Sequence, residues 1–346
     1  MGKGAENFDA KISWAYFGYQ ISDNFSLKAG RQRLPYFLYS DFLDVGYAYH
    51  WIAPPSEVYE IGGFDNIDGV NLEYYGDWGP VISRINIIAG ASNVDAGGFD
   101  LSSDDHWVVS WNMNWDWLTF QATYSESIVT IGGINEVAGG ISSIMTGAGL
   151  PLTNEQLDSL NMENDKGHFG GVGLAADWGN FFAIAEVTQT GVDNAPLNDQ
   201  KDSWYVSAGF RTGKFTYSLT YGQADIPNND NTIATLTDDL VGIAPGEQSV
   251  MAVLTGAANS ADSFGAFSAQ QLIDTIQDTL VAGYESESYN FSVRYDFHPS
   301  AALKFDYTQE EAEYENLSFN PIQGVSVISK STREPSLVRI GVDLVF

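Results

Sequence analysis

Apolar and polar positions alternate strictly along much of this chain, the period of a strand whose two faces meet different surroundings. Leu337 to Phe346 sets Val338, Ile340, Val342, Leu344 and Phe346 on one face and Arg339, Gly341 and Asp343 on the other. Residues 286–297 oppose Tyr289, Phe291, Val293, Tyr295 and Phe297 to Asn290, Ser292, Arg294 and Asp296, and residues 215–224 oppose Phe215, Tyr217, Leu219 and Tyr221 to Thr216, Ser218 and Thr220. About thirteen segments of roughly ten residues read this way, the length a tilted strand needs to cross a bilayer. They lie at 8–21, 25–34, 66–76, 81–91, 105–115, 118–130, 168–178, 181–190, 202–211, 215–224, 286–297, 301–311 and 335–346. No run approaches the length of apolar residues a transmembrane helix needs, roughly 18.

The connections alternate in length from one end of the chain to the other. Short turns fall at Ser22-Asp23-Asn24, Asp77-Trp78-Gly79, Asp116-Trp117, Gly179-Asn180, Thr212-Gly213-Lys214 and His298-Pro299-Ser300, and long loops at 35–65, 92–104, 131–167, 191–201, 225–285 and 312–334. A soluble sandwich has no reason to sort its loops by length, whereas a barrel in an outer membrane joins its strands by short turns on one side and long loops on the other. Trp78, Trp115, Trp117 and Trp178 all sit at short turns, where an interfacial aromatic girdle would place them. Within the loops, Leu272, Ile273, Ile276 and Leu280 keep helical spacing in Ser268–Leu280, and Thr153 is suited to cap a short helix over Thr153–Leu160.

Composition narrows the function. The chain has 346 residues, 15 Lys+Arg against 45 Asp+Glu, a formal charge of −30 and no Cys. That balance opposes binding to a phosphate backbone, so no nucleic-acid partner is expected. The absence of Cys excludes a disulfide scaffold, a thiolate-ligated metal and a thiol nucleophile. Aromatic residues at 14% argue against disorder. His50, His106, His168 and His298 offer bases, yet no Gly-x-Ser-x-Gly or His-Glu-x-x-His motif accompanies them, so no enzyme, cofactor or metal is expected.

Phe346, closing an alternating strand, resembles the C-terminal signature that barrel insertion machinery recognises in outer-membrane proteins. Gly30-Arg31-Gln32-Arg33-Leu34-Pro35-Tyr36-Phe37, followed by Tyr39-Ser40-Asp41 and by Asp44-Val45-Gly46-Tyr47-Ala48-Tyr49, resembles porins of marine gammaproteobacteria, relatives of the general trimeric porins of Gram-negative bacteria. The resemblance implies an all-β fold, a transmembrane antiparallel up-and-down β-barrel of sixteen strands, assembled as a homotrimer in outer-membrane lipid and lipopolysaccharide. It also implies a loop after strand five that folds inward. The candidate here, 35–65, follows the second visible strand, so three earlier strands and a signal peptide are expected to be missing ahead of Met1, within a single barrel domain. Met1 to Phe8 lacks the basic start and apolar core of an export signal. Strand sixteen would then lack its usual partner.

Alternation assigns Arg84, Arg211, Arg294, Lys304 and Arg339 to the lumen, with Asn71, Glu73, Asn112, Gln121 and Glu186. The inward loop adds Asp41, Asp44, Glu57, Glu60 and Asp65. By resemblance, loop acids face wall cations across a constriction, here Asp41 and Asp44 facing Arg84. Arg31 and Arg33 share a face with Leu27 and Ala29, pointing outward to a subunit interface unless a bulge at Gly30 reverses them toward the eyelet. The long loops carry acids such as Asp104, Asp105, Asp238, Asp239, Asp262, Glu310, Glu311 and Glu313, either a solvated acidic surface or ligands for calcium and for lipopolysaccharide-bridging ions. The expected function is a water-filled channel for passive diffusion of small hydrophilic solutes and ions, its mouth enriching cations. The alternatives are a sugar- or anion-specific channel, or a surface receptor or adhesin barrel.

Overall fold

The computed structural model describes residues 14–60, 64–95, 100–193, 200–227, 236, 249–259, 270–272, 281–320 and 325–345. The two-residue period becomes an antiparallel meander. Its strands are β1 (Ala15–Gln20), β2 (Phe25–Arg33), β3 (Asn66–Trp78), β4 (Val81–Asp95), β5 (Asp100–Trp115), β6 (Leu118–Ile131) and β7 (Asp165–Asp177). There follow β8 (Phe181–Val192), β9 (Gln200–Thr212), β10 (Phe215–Ile226), β11 (Val281–His298), β12 (Ala301–Asn320), β13 (Val325–Arg333) and β14 (Ser336–Leu344). Each strand pairs with the next in sequence, except that β13 and β14 both pair with β12.

Those last two strands occupy one place in the sheet. Ala312 lies opposite Arg333 and Gln309 opposite Ser336, a single register interrupted at Glu334 and Pro335. Proline brings no N–H to a ladder. Pro335 still accepts from the Glu310 N–H at 3.0 Å, and the Gln309 side-chain amide donates to the Glu310 carbonyl at 3.3 Å, where the missing donor would have been. The sheet therefore has thirteen strand places, the number read from the alternation. Among the described residues the outer edges of β1 and β14 have no partner strand, and because the two run in the same direction they cannot join each other antiparallel.

All six short turns form, five of them where Gly or Asp punctuates the pattern and the sixth at His298-Pro299-Ser300. Asp77 accepts from the Gly79 N–H at 3.2 Å and Asp177 from the Gly179 N–H at 2.9 Å, the same Asp-Trp-Gly device used twice. Gly79 and Gly179 have φ of 75° and 80°, a region that side chains with a Cβ enter at a cost.

The two faces differ in chemistry. Outward positions are apolar and uncovered: Leu219 is 67% and Ile340 73% exposed. Trp78, Trp115, Trp117 and Trp178 ring the short-turn end, Trp117 stacking on Trp178 at 5.3 Å. A second aromatic row pairs Trp107 with Tyr124, Trp204 with Tyr221, and Tyr221 with Tyr289. Trp107 and Trp115 on β5 are separated by roughly 20 Å of height in a strand tilted near 40°, comparable with the roughly 25 Å apolar band of a lipid-embedded barrel. Inward positions are polar, with Ser203 and Ser207 on β9 and Thr216, Ser218 and Thr220 on β10 all buried.

Several strands run on past the second aromatic row. The segments 92–104 and 312–334, expected as loops, are mostly ladder, with Glu285 opposite Glu313 and Glu287 opposite Glu311. Glu310, Glu311, Glu313 and Glu315 fall on both faces there, so hydropathy loses its period while the main chain keeps pairing. The short helix over 153–160 forms at Asn154–Asp158 under a Thr153 capping box. A longer helix, Gly132–Gly147, was not expected, because Gly132, Gly133, Gly139, Gly140 and Gly147 dilute its pattern. It packs Ala138, Ile141 and Met145 against Val250, Met251 and Leu254 of a helix at Val250–Ala258. Of the helix expected in Ser268–Leu280, residues 270–272 are helical, and Ile273, Ile276 and Leu280 lie outside the described residues. So do Asp238, Asp239, Asp262 and Phe346.

Candidate functional site: the inward segment and its charged wall

Between β2 and β3, residues 34–60 and 64–65 cross the inward face of the sheet. Their aromatic rings supply the reason. Tyr36, Phe37, Tyr49 and Trp51 are buried with Phe169, Phe182 and Tyr205 of the wall, Tyr36 stacked on Phe169 at 4.1 Å and Trp51 edge-on to Tyr205 at 5.9 Å. Trp51 is 1% exposed, and its indole N–H donates to Thr220 at 2.8 Å. A segment this apolar gains more by lying against the wall than by standing in water.

The wall holds the segment chiefly by its main chain. At its start, the Gln121 amide donates to the Pro35 and Phe37 carbonyls at 3.0 and 2.9 Å, and Thr123 donates to Pro35 at 2.8 Å. Beside them His106 meets the hydroxyls of Tyr36, Ser125, Ser103 and Ser92. In its middle, Lys304 donates to the Gly46 and Trp51 carbonyls at 2.6 and 2.7 Å and forms an ion pair with Asp343 at 2.7 Å. Arg294 donates to the Tyr47 and Tyr49 carbonyls at 2.5 and 2.7 Å, its guanidinium 4.4 Å over the Tyr47 ring. Asp306 accepts from the Ile52 N–H at 2.8 Å. On the opposite wall Glu186, 4% exposed, accepts from the Leu38 N–H at 2.8 Å, from Tyr59 at 2.5 Å and from Tyr205 at 2.6 Å. Lys201 donates to the Glu60 carbonyl at 3.0 Å.

Among the candidate residues, the structure joins some and separates others. Arg84 meets Asp41 at 2.9 Å, whereas Asp44 pairs with Arg33. Arg33 therefore turns to the inward segment at the end of β2, where the chain leaves the sheet and strict alternation no longer governs direction. Arg31 stays outward in a two-point ion pair with Asp68, at 2.8 and 2.6 Å, and Gly30 keeps register with Gly69 without a bulge. Arg211 pairs with Asp177 at 2.9 Å and with the Gly179 carbonyl, beside a short turn and away from the loop acids. Arg339 stands 4.0 Å from Asp306. Glu57 is buried beside Gly222, where an added Cβ would come 3.0 Å from its carboxyl carbon. Of the anchoring residues, Glu186 and Gln121 were legible only as inward-facing. The usable signal for Glu186 was a carboxylate following Phe182 and Ile184 on the same face.

Two cavities flank the Asp41–Arg84 contact. One of about 270 Å³ lies toward Lys28, Arg33 and Glu73, and one of about 290 Å³ toward Asn112, Asn114 and Gln121. Both are lined by Pro35, Asp41, Arg84 and Asn86.

His50 packs between Trp51 and Phe182, its ring nitrogen 3.3 Å from Ser207. Burial holds its pKa well below the ordinary histidine value, and Lys304, Arg211 and Arg294 push it the same way. A depressed value means the unfolded segment takes up a proton before the folded one does. Stability should therefore be intact above pH of about 6.5 and fall as pH drops below it. Thermal melting between pH 8 and 5 should show this loss, and His50→Gln should remove that part of it.

No family model matches the chain, and no curated protein matches it. Among solved structures it is similar to a loop-deletion mutant of OmpT, an outer membrane protein of Vibrio cholerae, at 11% identity and a TM-score of 0.45, over 84% of this chain and 72% of that one. It is also similar to Pseudomonas putida OprB, at 10% identity and 0.46, over 96% and 73% of the two chains. Salmonella typhi OmpF in complex with daunomycin aligns at 13% identity and 0.42, over 94% and 88%.

Proposed function

We propose that this chain forms a passive diffusion channel of a Gram-negative outer membrane, a porin narrowed by the inward segment at 34–65. One observation carries the reading: a thirteen-place meander bears an uncovered apolar face banded by aromatic rows, while its other face is polar and gripped around an inward loop. An uncovered apolar belt of that height suits lipid, and a hydrogen-bonded polar interior suits water. The partners that follow are membrane lipid and lipopolysaccharide, further copies of the chain in a homotrimer, the insertion machinery and small hydrophilic solutes. Transport down a gradient needs no catalyst and no cofactor. Asp41 against Arg84 forms the narrow point, Asp44, Glu57, Glu60, Arg294, Lys304 and Arg339 set the field around it, and Arg211 adds its charge at the short-turn end.

Single-channel recording in a planar bilayer tests this. The expected result is steps grouped in threes whose size rises linearly with KCl. Arg84→Gln, which leaves Asp41 without its partner at the narrow point, should raise the cation-to-anion permeability ratio severalfold. A protein that inserts but never conducts would favour a second reading, a receptor barrel plugged by its own loop, for which the burial of Trp51 speaks.

A further inference from the structure

The cavity of about 290 Å³ beneath the inward segment differs in its chemistry from its neighbour, which Lys28, Arg33 and Glu73 line. Its wall is a ladder of neutral amides and hydroxyls. Asn86 donates to Ser110 at 3.3 Å, Asn114 to Asn112 at 3.0 Å, and Thr119 to Asn114 at 2.9 Å. That relay consumes the Asn112 oxygen and leaves its amide nitrogen without a partner among the described residues. The segment adds Phe42 to the same lining, 37% exposed and edge-on to Tyr39 at 5.6 Å. The charges in the lining are Asp41 and Arg84, and they neutralise one another.

The geometry points to a binding site for a neutral, polyhydroxylated solute the size of one monosaccharide. The volume sits at the lower edge of the roughly 300–1,000 Å³ typical of small-molecule sites. Amides both donate and accept, as a ring of hydroxyls requires, whereas an ion would need a surplus of one charge. A partly exposed aromatic ring in one lining with polar amides suits a solute ring with an apolar face and a hydroxylated edge. A permeating anion or cation meets no unpaired countercharge in this chamber, so the site selects by hydroxyl pattern. The inference rests on the channel reading for its purpose, although the binding itself does not.

Saturation-transfer NMR of D-glucose with the full chain in detergent micelles reads binding, and conductance in a planar bilayer reads the channel separately. Transfer to glucose at millimolar concentration is expected, with about a tenfold loss of affinity in Asn112→Ala/Asn114→Ala, whose positions on the cavity wall are not part of the buried core. Phe42→Leu, which keeps the apolar bulk and removes the ring, should weaken binding about fivefold. Absence of transfer in a protein that conducts overturns the inference and leaves the channel intact. Transfer that survives the double substitution also overturns it, as does displacement of glucose by equimolar L-alanine, which would mean that the Asp41–Arg84 pair reads a zwitterion. Glucose transfer in a protein that does not conduct sustains the site and removes the channel.

Discussion

Lys304→Met should loosen the inward segment and destabilise the protein by about 3–5 kcal/mol, the usual loss when one partner of a buried ion pair is removed. The ammonium is fully buried and holds three groups at once: the Gly46 and Trp51 carbonyls and the Asp343 carboxylate. Methionine fills much of the same volume, so packing changes little and the polar groups carry the effect. Two carbonyls lose their donor and Asp343 loses its counterion. Two measurements check this. The urea midpoint in detergent should fall with an unchanged slope, and chymotrypsin should cut at the newly accessible aromatic residues between Tyr36 and Tyr59. In a bilayer the same variant should conduct in larger and noisier steps, because the segment no longer holds one position. A variant as protease-resistant as the parent would show that Arg294 and Asp306 hold the middle of the segment by themselves.

Glu186→Ala should have a comparable effect from the other side, about 3–5 kcal/mol. Its carboxylate accepts from the Leu38 N–H and from both Tyr59 and Tyr205, so truncation strands three donors in a site that is 4% exposed. Glu186→Gln keeps one acceptor oxygen and should lose less, about 1–2 kcal/mol. The ordering Ala, then Gln, then the parent, in thermal melting followed by tyrosine absorbance, is the check. Equal losses in both variants would mean that the charge rather than the acceptor count holds the segment.

Much of this architecture is visible in one dimension because a membrane imposes its own contrast on a strand. Phe291, Val293 and Tyr295 alternate with Ser292 and Arg294, and the structure sets them on opposite faces as that pattern requires. The contrast vanishes where water lies on both sides. That is why the segment with Glu313 and Glu315 reads as a loop although both pair with β11. It also vanishes in the helix at Gly132–Gly147, whose apolar contacts are made with a distant loop segment at Val250–Ala258. For the site, alternation gives the face of a residue and not its partner. Arg84 and Asp41 meet, whereas Asp44 turns to Arg33, because the path of an irregular segment is set by which rings find pockets, and no period encodes that. The anchors were hardest to see, since Lys304, Arg294 and Gln121 bind carbonyls, and a carbonyl leaves no mark on sequence.

That last property bears on how such a protein can change over generations. The wall grips residues 35, 37, 46, 47, 49 and 51 through carbonyl oxygens that every amino acid possesses. Side chains on the segment that face the open cavities, such as Asp41 and Phe42, take no part in that grip. Lineages can therefore exchange the filter while the scaffold that carries it stays fixed, and drift at positions 41 and 42 is a matter of diet rather than of folding.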